Sequence, residues 1–301
     1  MKNILIIGAN GFTGRRILND LSVNPIYHVT GCSLRDDICP GKDYRFVRTD
    51  IRDENEVRKL FKECRPDIVI NTSALSVPDY CETHHAEAEA TNVTAVETIA
   101  HVCEQYGSRF IHLSTDFVFD GKSTRLYKEE DEAIPVNYYG VTKLKAEKII
   151  ASICSNYAIV RVVVVYGKAL PGQHGNILQL VANRLRNGET IRVVSDQWRT
   201  PTFVGDISVG VEKLMFHTAN GIYHICGSEC LTIAEIAYRV ADFLKLDRSL
   251  IEPVTTEEMK EVTPRPRFSG LSIEKAKAEI GYTPRLSLIH ISEPTRPRLI
   301  S

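Results

Sequence analysis

The sequence predicts an α/β protein: a doubly wound parallel sheet followed by a smaller α/β domain. Short β-branched runs alternate with amphipathic segments over roughly the first 165 residues, the rhythm of strand–helix crossovers on a parallel sheet. Four of the six β-branched runs are almost wholly apolar, as strands covered on both faces must be. The rhythm changes after Gly167. The chain of 301 residues, 43% hydrophobic and 25% charged, can bury a full core and lies near the size at which one core splits into two.

Strands are expected at residues 3–7, 28–32, 45–47, 67–71, 110–113 and 158–165. Among the helices, Glu54–Cys64 sets Val57, Leu60 and Phe61 on one face, and 86–106 and 139–153 follow the same logic. Beyond Gly167 a helix at 176–185 stops at Asn187-Gly188. A strand at 190–194, a loop at 195–202, a helix at 203–216, a strand at 221–226 and an amphipathic helix at 232–244 follow. The expected division is a cofactor-binding part over 1–167, completed by a helix near 203–217, and a substrate-binding part over 168–285. Residues 286–301 carry Pro294 and Pro297 without apolar period or cap. They read as a non-native or disordered tail.

Composition narrows the function. A formal net charge of −1 argues against a dedicated nucleic-acid or anionic-membrane binder. No stretch approaches the ~18 apolar residues of a membrane span. Eight cysteines are scattered singly, unlike a secreted disulfide scaffold, so reduced thiols and a cytoplasmic location are expected. Cys81, His84 and His85 fall short of a zinc set, and Cys226 and Cys230 read as core thiols.

The first strand runs into Gly8-Ala9-Asn10-Gly11-Phe12-Thr13-Gly14 and then a helix. Gly8 suits a tight turn, Gly11 close approach of backbone to a pyrophosphate, and Gly14 tight helix–strand packing. The helix start offers free N–H groups and the positive end of its dipole to the phosphates. This strand–glycine–helix order predicts a dinucleotide site on a Rossmann-type sheet. After the second strand come Ser33 and Arg35, which favour the 2′-phosphate of NADPH. NADH, held through Asp36 or Asp37, stays open.

Downstream, a buried strand ends in Ser114-Thr115-Asp116, at the sheet edge where open α/β folds bind ligands. A helix then opens with Tyr139 and Lys143 at i and i+4, on one face. A tyrosine with an ordinary pKa of about 10 is a reluctant proton shuttle at neutral pH. A neighbouring ammonium and a cationic nicotinamide can lower it. Thr115 can hold a substrate oxygen, Lys143 the nicotinamide ribose, and Tyr139 can hand its proton to a carbonyl as hydride arrives. Arg265 and Arg267, in a proline-stiffened loop, could grip a pyrophosphate or form a solvated basic turn.

These residues resemble the extended short-chain dehydrogenase/reductase superfamily and, within it, the dTDP-4-dehydrorhamnose reductases. The matching segments are the glycine turn, Asp50-Ile51, Asn71-Thr72-Ser73-Ala74-Leu75, Ser114-Thr115-Asp116-Phe117-Val118-Phe119-Asp120-Gly121, the Tyr139/Lys143 stretch, Val165-Tyr166-Gly167 and Asp196-Gln197-Trp198-Arg199-Thr200-Pro201-Thr202. The resemblance implies cofactor contacts from Gly11, Phe12, Thr13, Asp50, Ile51, Ser73, Ala74 and Leu75. It implies Tyr139 as proton donor with Lys143 beside it, and Thr115 and Asp116 at the sugar. The implied reaction is reduction of the 4-keto group of a nucleotide-linked deoxysugar, for cell-surface polysaccharide. Phe117 stands where such reductases carry tyrosine, and Val164 where a tryptophan often stacks on the sugar. Arg16 stands where some members bind Mg²⁺ through glutamate, so no metal is expected. Another nucleotide-sugar reductase or epimerase, and a non-catalytic regulatory subunit like that of methionine adenosyltransferase, remain open. So does a homodimer.

Overall fold

In a computed structural model, residues 1–285 are described except Lys42 and His174; the expectation for 286–301 lies outside the described residues. The apolar runs become the strands of one sheet. Along the chain these elements are β1 (Lys2–Ile7), α1 (Phe12–Ser22), β2 (Tyr27–Ser33), β3 (Arg45–Arg48), α2 (Glu54–Cys64), β4 (Ile68–Asn71), α3 (Ala95–Tyr106), β5 (Arg109–Thr115), α4 (Tyr138–Ile153), β6 (Tyr157–Val162), α5 (Ile177–Arg186), α6 (Val204–Phe216), β7 (Gly221–His224) and α7 (Ile233–Leu244). The strand order is β7-β6-β5-β4-β1-β2-β3, with every neighbouring pair parallel. The order reverses between β1 and β4, which opens a crevice at the carboxyl ends of the strands.

Alternation along β1 feeds two layers. Ile4 and Ile6 pack with Ile17 and Leu18 of α1 and Ile207, Val211 and Leu214 of α6. Leu5 and Ile7 pack with Val57 and Phe61 of α2, Val96 and Ile99 of α3, and Ala146 and Ile150 of α4. A third apolar cluster joins α5 and α7 under the later part of the chain. Among the described residues no helix is long and apolar enough to cross a membrane.

Three expected elements differ. The strand at 158–165 breaks after Val162: Val164 has φ +36°, and Val165–Tyr166 pairs with Thr202–Phe203 instead of the main sheet. The Thr202 hydroxyl donates to the Val163 carbonyl at 2.6 Å, holding the break. The helix at 86–106 widens into a π turn at Ala90–Thr94. Buried Asn92 on that turn donates to Leu75 O and Thr142 Oγ1 and accepts from Leu75 N–H. Finally, the strand expected at 221–226, within the substrate-binding part, is Gly221–His224 and becomes β7, the edge of the main sheet beside β6.

A buried ion pair locks α4 to the sheet. Glu147 accepts from Arg161 of β6 at 2.6 and 3.0 Å and from the Ser114 hydroxyl of β5 at 2.5 Å. Arg161 also lies over the Phe119 ring. Removing one partner leaves a charge without compensation in the core. Glu147→Ala is therefore expected to cost about 3–5 kcal/mol of stability, read as a lowered urea midpoint.

Candidate active site

A cleft of about 960 Å³ opens at the carboxyl ends of β1, β4 and β5. It is lined by Gly8, Gly11, Phe12, Thr13, Gly14, Ser33, Asp50, Ile51, Ser73, Ala74, Leu75, Thr115, Asp116, Tyr139, Lys143 and Arg265. A second hollow of about 730 Å³ lies at the amino ends of the strands, beside Lys2 and Asp67, and holds none of the sequence-predicted residues.

The glycine turn is tight for steric reasons. Gly8 has φ +83°, a region side chains rarely adopt. Gly11 N–H donates to Gly8 O at 2.8 Å. A Cβ on Gly14 would lie 2.3 Å from Gly8 O and 2.5 Å from Thr72 Oγ1, so only glycine lets α1 start this close to β1. No side chain caps α1, and no acidic residue sits in its first turn. Its leading N–H groups are therefore suited to an anion, which is what a dinucleotide pyrophosphate requires.

At the ribose end of the groove the placement departs from expectation. Ser33 and Leu34 line the cleft, but Arg35 does not. Asn10 Nδ2 donates to the carbonyls of Arg35 and Asp36, holding this turn by its backbone with the Arg35 side chain exposed. Neither Asp36 nor Asp37 lines the cleft; Asp37 is taken by Arg15 and Tyr44. The arginine on this wall is Arg52, bonded to Asp50 at 2.6 Å. That bond holds the Asp50 carboxyl below its usual range. Gln173 lies across the turn, donating to the Asn10 and Gly11 carbonyls at 3.0 and 3.2 Å. Neither Arg52 nor Gln173 carries a motif that sequence reading could recognise.

The reactive side chains converge where α4 meets the end of β5. Asn137 caps α4, accepting from Gly140 N–H at 2.9 Å while its amide donates to Pro264 O. A Cβ on Gly140 would lie 2.2 Å from Phe117 O, so glycine lets the helix sit down on the turn after β5. The Tyr139 ring meets Phe117 edge-on at 6.0 Å. Thr115 Oγ1 accepts from Phe117 N–H and donates to Asp116 Oδ1 at 3.1 Å. Asp116 also accepts from the Ser269 hydroxyl and lies 3.7 Å from Arg199 Nε. Burial raises its carboxyl, with Arg199 pulling the other way.

The Lys143 amine is bound to the end of β5. It is buried, donating to Leu113 O at 2.6 Å and meeting His112 Nε2 at 2.9 Å. Burial pulls it down to about 8, against the distant pull of Glu147. Burial, then the Asp116 charge, pushes the Tyr139 phenol up, with only a hydrogen bond from Thr115 opposing.

Arg265 faces the cleft between Asp79 at 3.5 Å and Glu261 at 3.3 Å. Arg267 does not line it: its carbonyl accepts from Trp198 N–H, and its guanidinium pairs with Glu257. Arg16 pairs with Asp20 and lies over the Phe203 ring. Cys81 is buried with its thiol on Leu75 O, while His84 and His85 stack on Tyr80 and Tyr138.

Residues 1–289 match the family described as the RmlD substrate binding domain. The chain is 32% identical over 287 residues to the spore coat polysaccharide biosynthesis protein SpsK of Bacillus subtilis, covering 95% of this chain and 94% of that protein. It is 32% identical over 279 residues to methionine adenosyltransferase 2 subunit beta of Xenopus laevis, covering 91% and 81%. Among solved structures, a Bacillus anthracis dTDP-4-dehydrorhamnose reductase in complex with NADP superposes with TM-score 0.82 at 26% identity, covering 92% and 93%.

The packing at Gly14 makes a direct prediction. Gly14→Ala forces α1 off the turn, an overpacking cost of about 1–3 kcal/mol. Thermal melting should show a lowered midpoint, and a nicotinamide dinucleotide should raise that midpoint less than it raises the parent chain's.

Proposed function

The chain belongs to the RmlD substrate binding domain family, and on that premise we propose that it reduces the 4-keto group of a nucleotide-linked deoxysugar with NADPH. The first substrate to test is dTDP-4-dehydrorhamnose, which would yield dTDP-L-rhamnose. The observation that carries this reading is the meeting of Thr115, Tyr139 and Lys143 in the same cleft as the glycine turn. The dTDP-4-dehydrorhamnose reductase solved with NADP supports it, as does the similarity to a spore coat polysaccharide protein.

A bound reduced nicotinamide supplies the hydride; the chain's residues do the rest. The first turn of α1 holds the pyrophosphate, and Gly8 and Gly11 let the backbone approach it. Thr115 hydrogen-bonds the sugar carbonyl oxygen. Tyr139, kept protonated by burial, gives that oxygen its phenolic proton as the carbon is reduced. Lys143 steadies the ribose hydroxyls from the floor of the cleft. Arg265 meets the diphosphate of the substrate, a role its place on the cleft wall supports and that of Arg267 does not. Ser33, with Arg52 on the same wall, faces the adenosine ribose. The division at Gly167 into cofactor-binding and substrate-binding parts, and a cytoplasmic location, belong to the same proposal.

The similarity to an adenosyltransferase subunit supports a second reading, a dinucleotide-binding regulatory chain without turnover. NADPH oxidation measured against a panel of 4-keto sugar nucleotides separates the two. Turnover with any of them supports the reductase. Tight NADPH binding with no turnover on the whole panel supports the regulatory chain. Tyr139→Phe should lower kcat by about 10²–10⁴-fold, the size of a lost general acid, while leaving NADPH affinity within a factor of about two or three. Arg265→Ala should raise KM for the sugar nucleotide and leave that for NADPH unchanged.

A further inference from the structure

One buried guanidinium ties together the parts of the cleft that lie beyond the cofactor groove. Arg199 is 2% exposed. Its Nη2 donates to Pro266 O at 2.7 Å and its Nη1 to Arg267 O at 3.3 Å. Both carbonyls belong to the loop that carries Arg265 on the cleft wall. Its Nε faces Asp116 Oδ2 at 3.7 Å, just past the end of β5. Asp116 in turn accepts from Ser269, at the far end of the same loop. A second path runs from Arg199 to Arg265 through side chains. Arg199 Nη2 also donates to Gln197 Oε1 at 3.1 Å, which turns the Gln197 NH₂ towards Glu261. That NH₂ donates to Glu261 Oε2 at 2.8 Å. The other oxygen of Glu261 lies 3.3 Å from Arg265 Nε.

We propose that Arg199 is a positioning residue: it fixes the loop of Arg265 against the end of β5, and so sets Arg265 for the diphosphate of the substrate. The second half of this statement rests on the role given to Arg265 above; the first does not. The chemistry of the loop explains why a side chain is needed. Pro264 and Pro266, on either side of Arg265, have no N–H to anchor them, so this stretch is held by its carbonyls. Asn137 takes Pro264 O, and Arg199 takes the next carbonyls after Arg265. A guanidinium suits the task because its flat fork reaches two successive carbonyls and a side-chain amide at once, whereas an ammonium is a point charge. Buried there, it needs an opposite charge nearby. Asp116 supplies it, so the group that resemblance sets at the sugar and the one proposed for the diphosphate share one anchor.

Trp198, next to Arg199, is the one tryptophan of the chain. Its N–H donates to Arg267 O, and its carbonyl accepts from Ser269 N–H. Its emission therefore reports the seating of the loop with no ligand present. In Arg199→Lys, acrylamide should quench Trp198 more strongly than in the parent chain; unchanged quenching overturns the proposal. For the second half the probes are dTDP and UDP, titrated by calorimetry. Arg199→Lys should weaken diphosphate binding by about tenfold, the loss of one hydrogen bond to a charged group, and leave NADPH affinity unchanged. The double variant with Arg265→Ala should bind no more weakly than Arg265→Ala alone, because Arg199 acts through that side chain. Losses that add, or an equal loss of NADPH affinity, mark a general structural role and overturn the link to Arg265. Gln197→Met cuts only the side-chain path and carries the same cycle if Arg199→Lys fails to fold. A parent chain that binds neither diphosphate removes the sugar-nucleotide reading alone, since the quenching still decides the first half.

Discussion

The site depends on how closely α4 sits on the end of β5. Two features set that distance. Gly140 has no side chain to hold the helix off Phe117 O, and Glu147 ties the helix to Ser114 and Arg161. Tyr139 lies one residue before the first contact, and Lys143 lies between the two. Their side chains have little freedom to miss the cleft. The ion pair need not add net stability over a well-packed apolar pair of the same volume. Its value here is that one carboxylate on α4 binds both Ser114 of β5 and Arg161 of β6, which fixes the register of α4 against the sheet.

Burial dominates the electrostatics of this region. Burial pulls the Lys143 amine from 10.5 down to about 8, which leaves it mostly an ammonium at neutral pH. Asp116 moves the other way for the same reason, despite Arg199 nearby, and the Tyr139 phenol moves with it. A tyrosine that keeps its proton suits the donor in a reduction. Residue types alone do not show that the Asp116 charge opposes ionisation of the phenol, or that Leu113 O and His112 hold the amine.

The legible parts of the sequence were those whose signal is local. Apolar runs located the parallel strands, because a strand covered on both faces has nowhere to put polar side chains. The glycine spacing located the turn at β1, because Gly8 needs a positive φ and Gly14 packs against Gly8 O six residues back. The i, i+4 spacing of Tyr139 and Lys143 is a property of any helix. The illegible parts had distant causes. The break after Val162 is held by Thr202, far along the chain. The place of β7 depends on which strand edge was left open beside β6. The exposed side chain of Arg35 accompanies a turn after β2 that Asn10 holds by its backbone, while Arg52 reaches the cleft wall from the segment after β3, bonded to Asp50.

By itself, then, the sequence determined the sheet, the dinucleotide turn and the set of reactive residue types, since period, spacing and backbone sterics act within a few residues. Tertiary structure alone decided which arginine faces the cleft, where the Lys143 amine is bound and what surrounds the Tyr139 phenol. Those outcomes are set by burial and by hydrogen bonds between segments that meet only once the chain has folded.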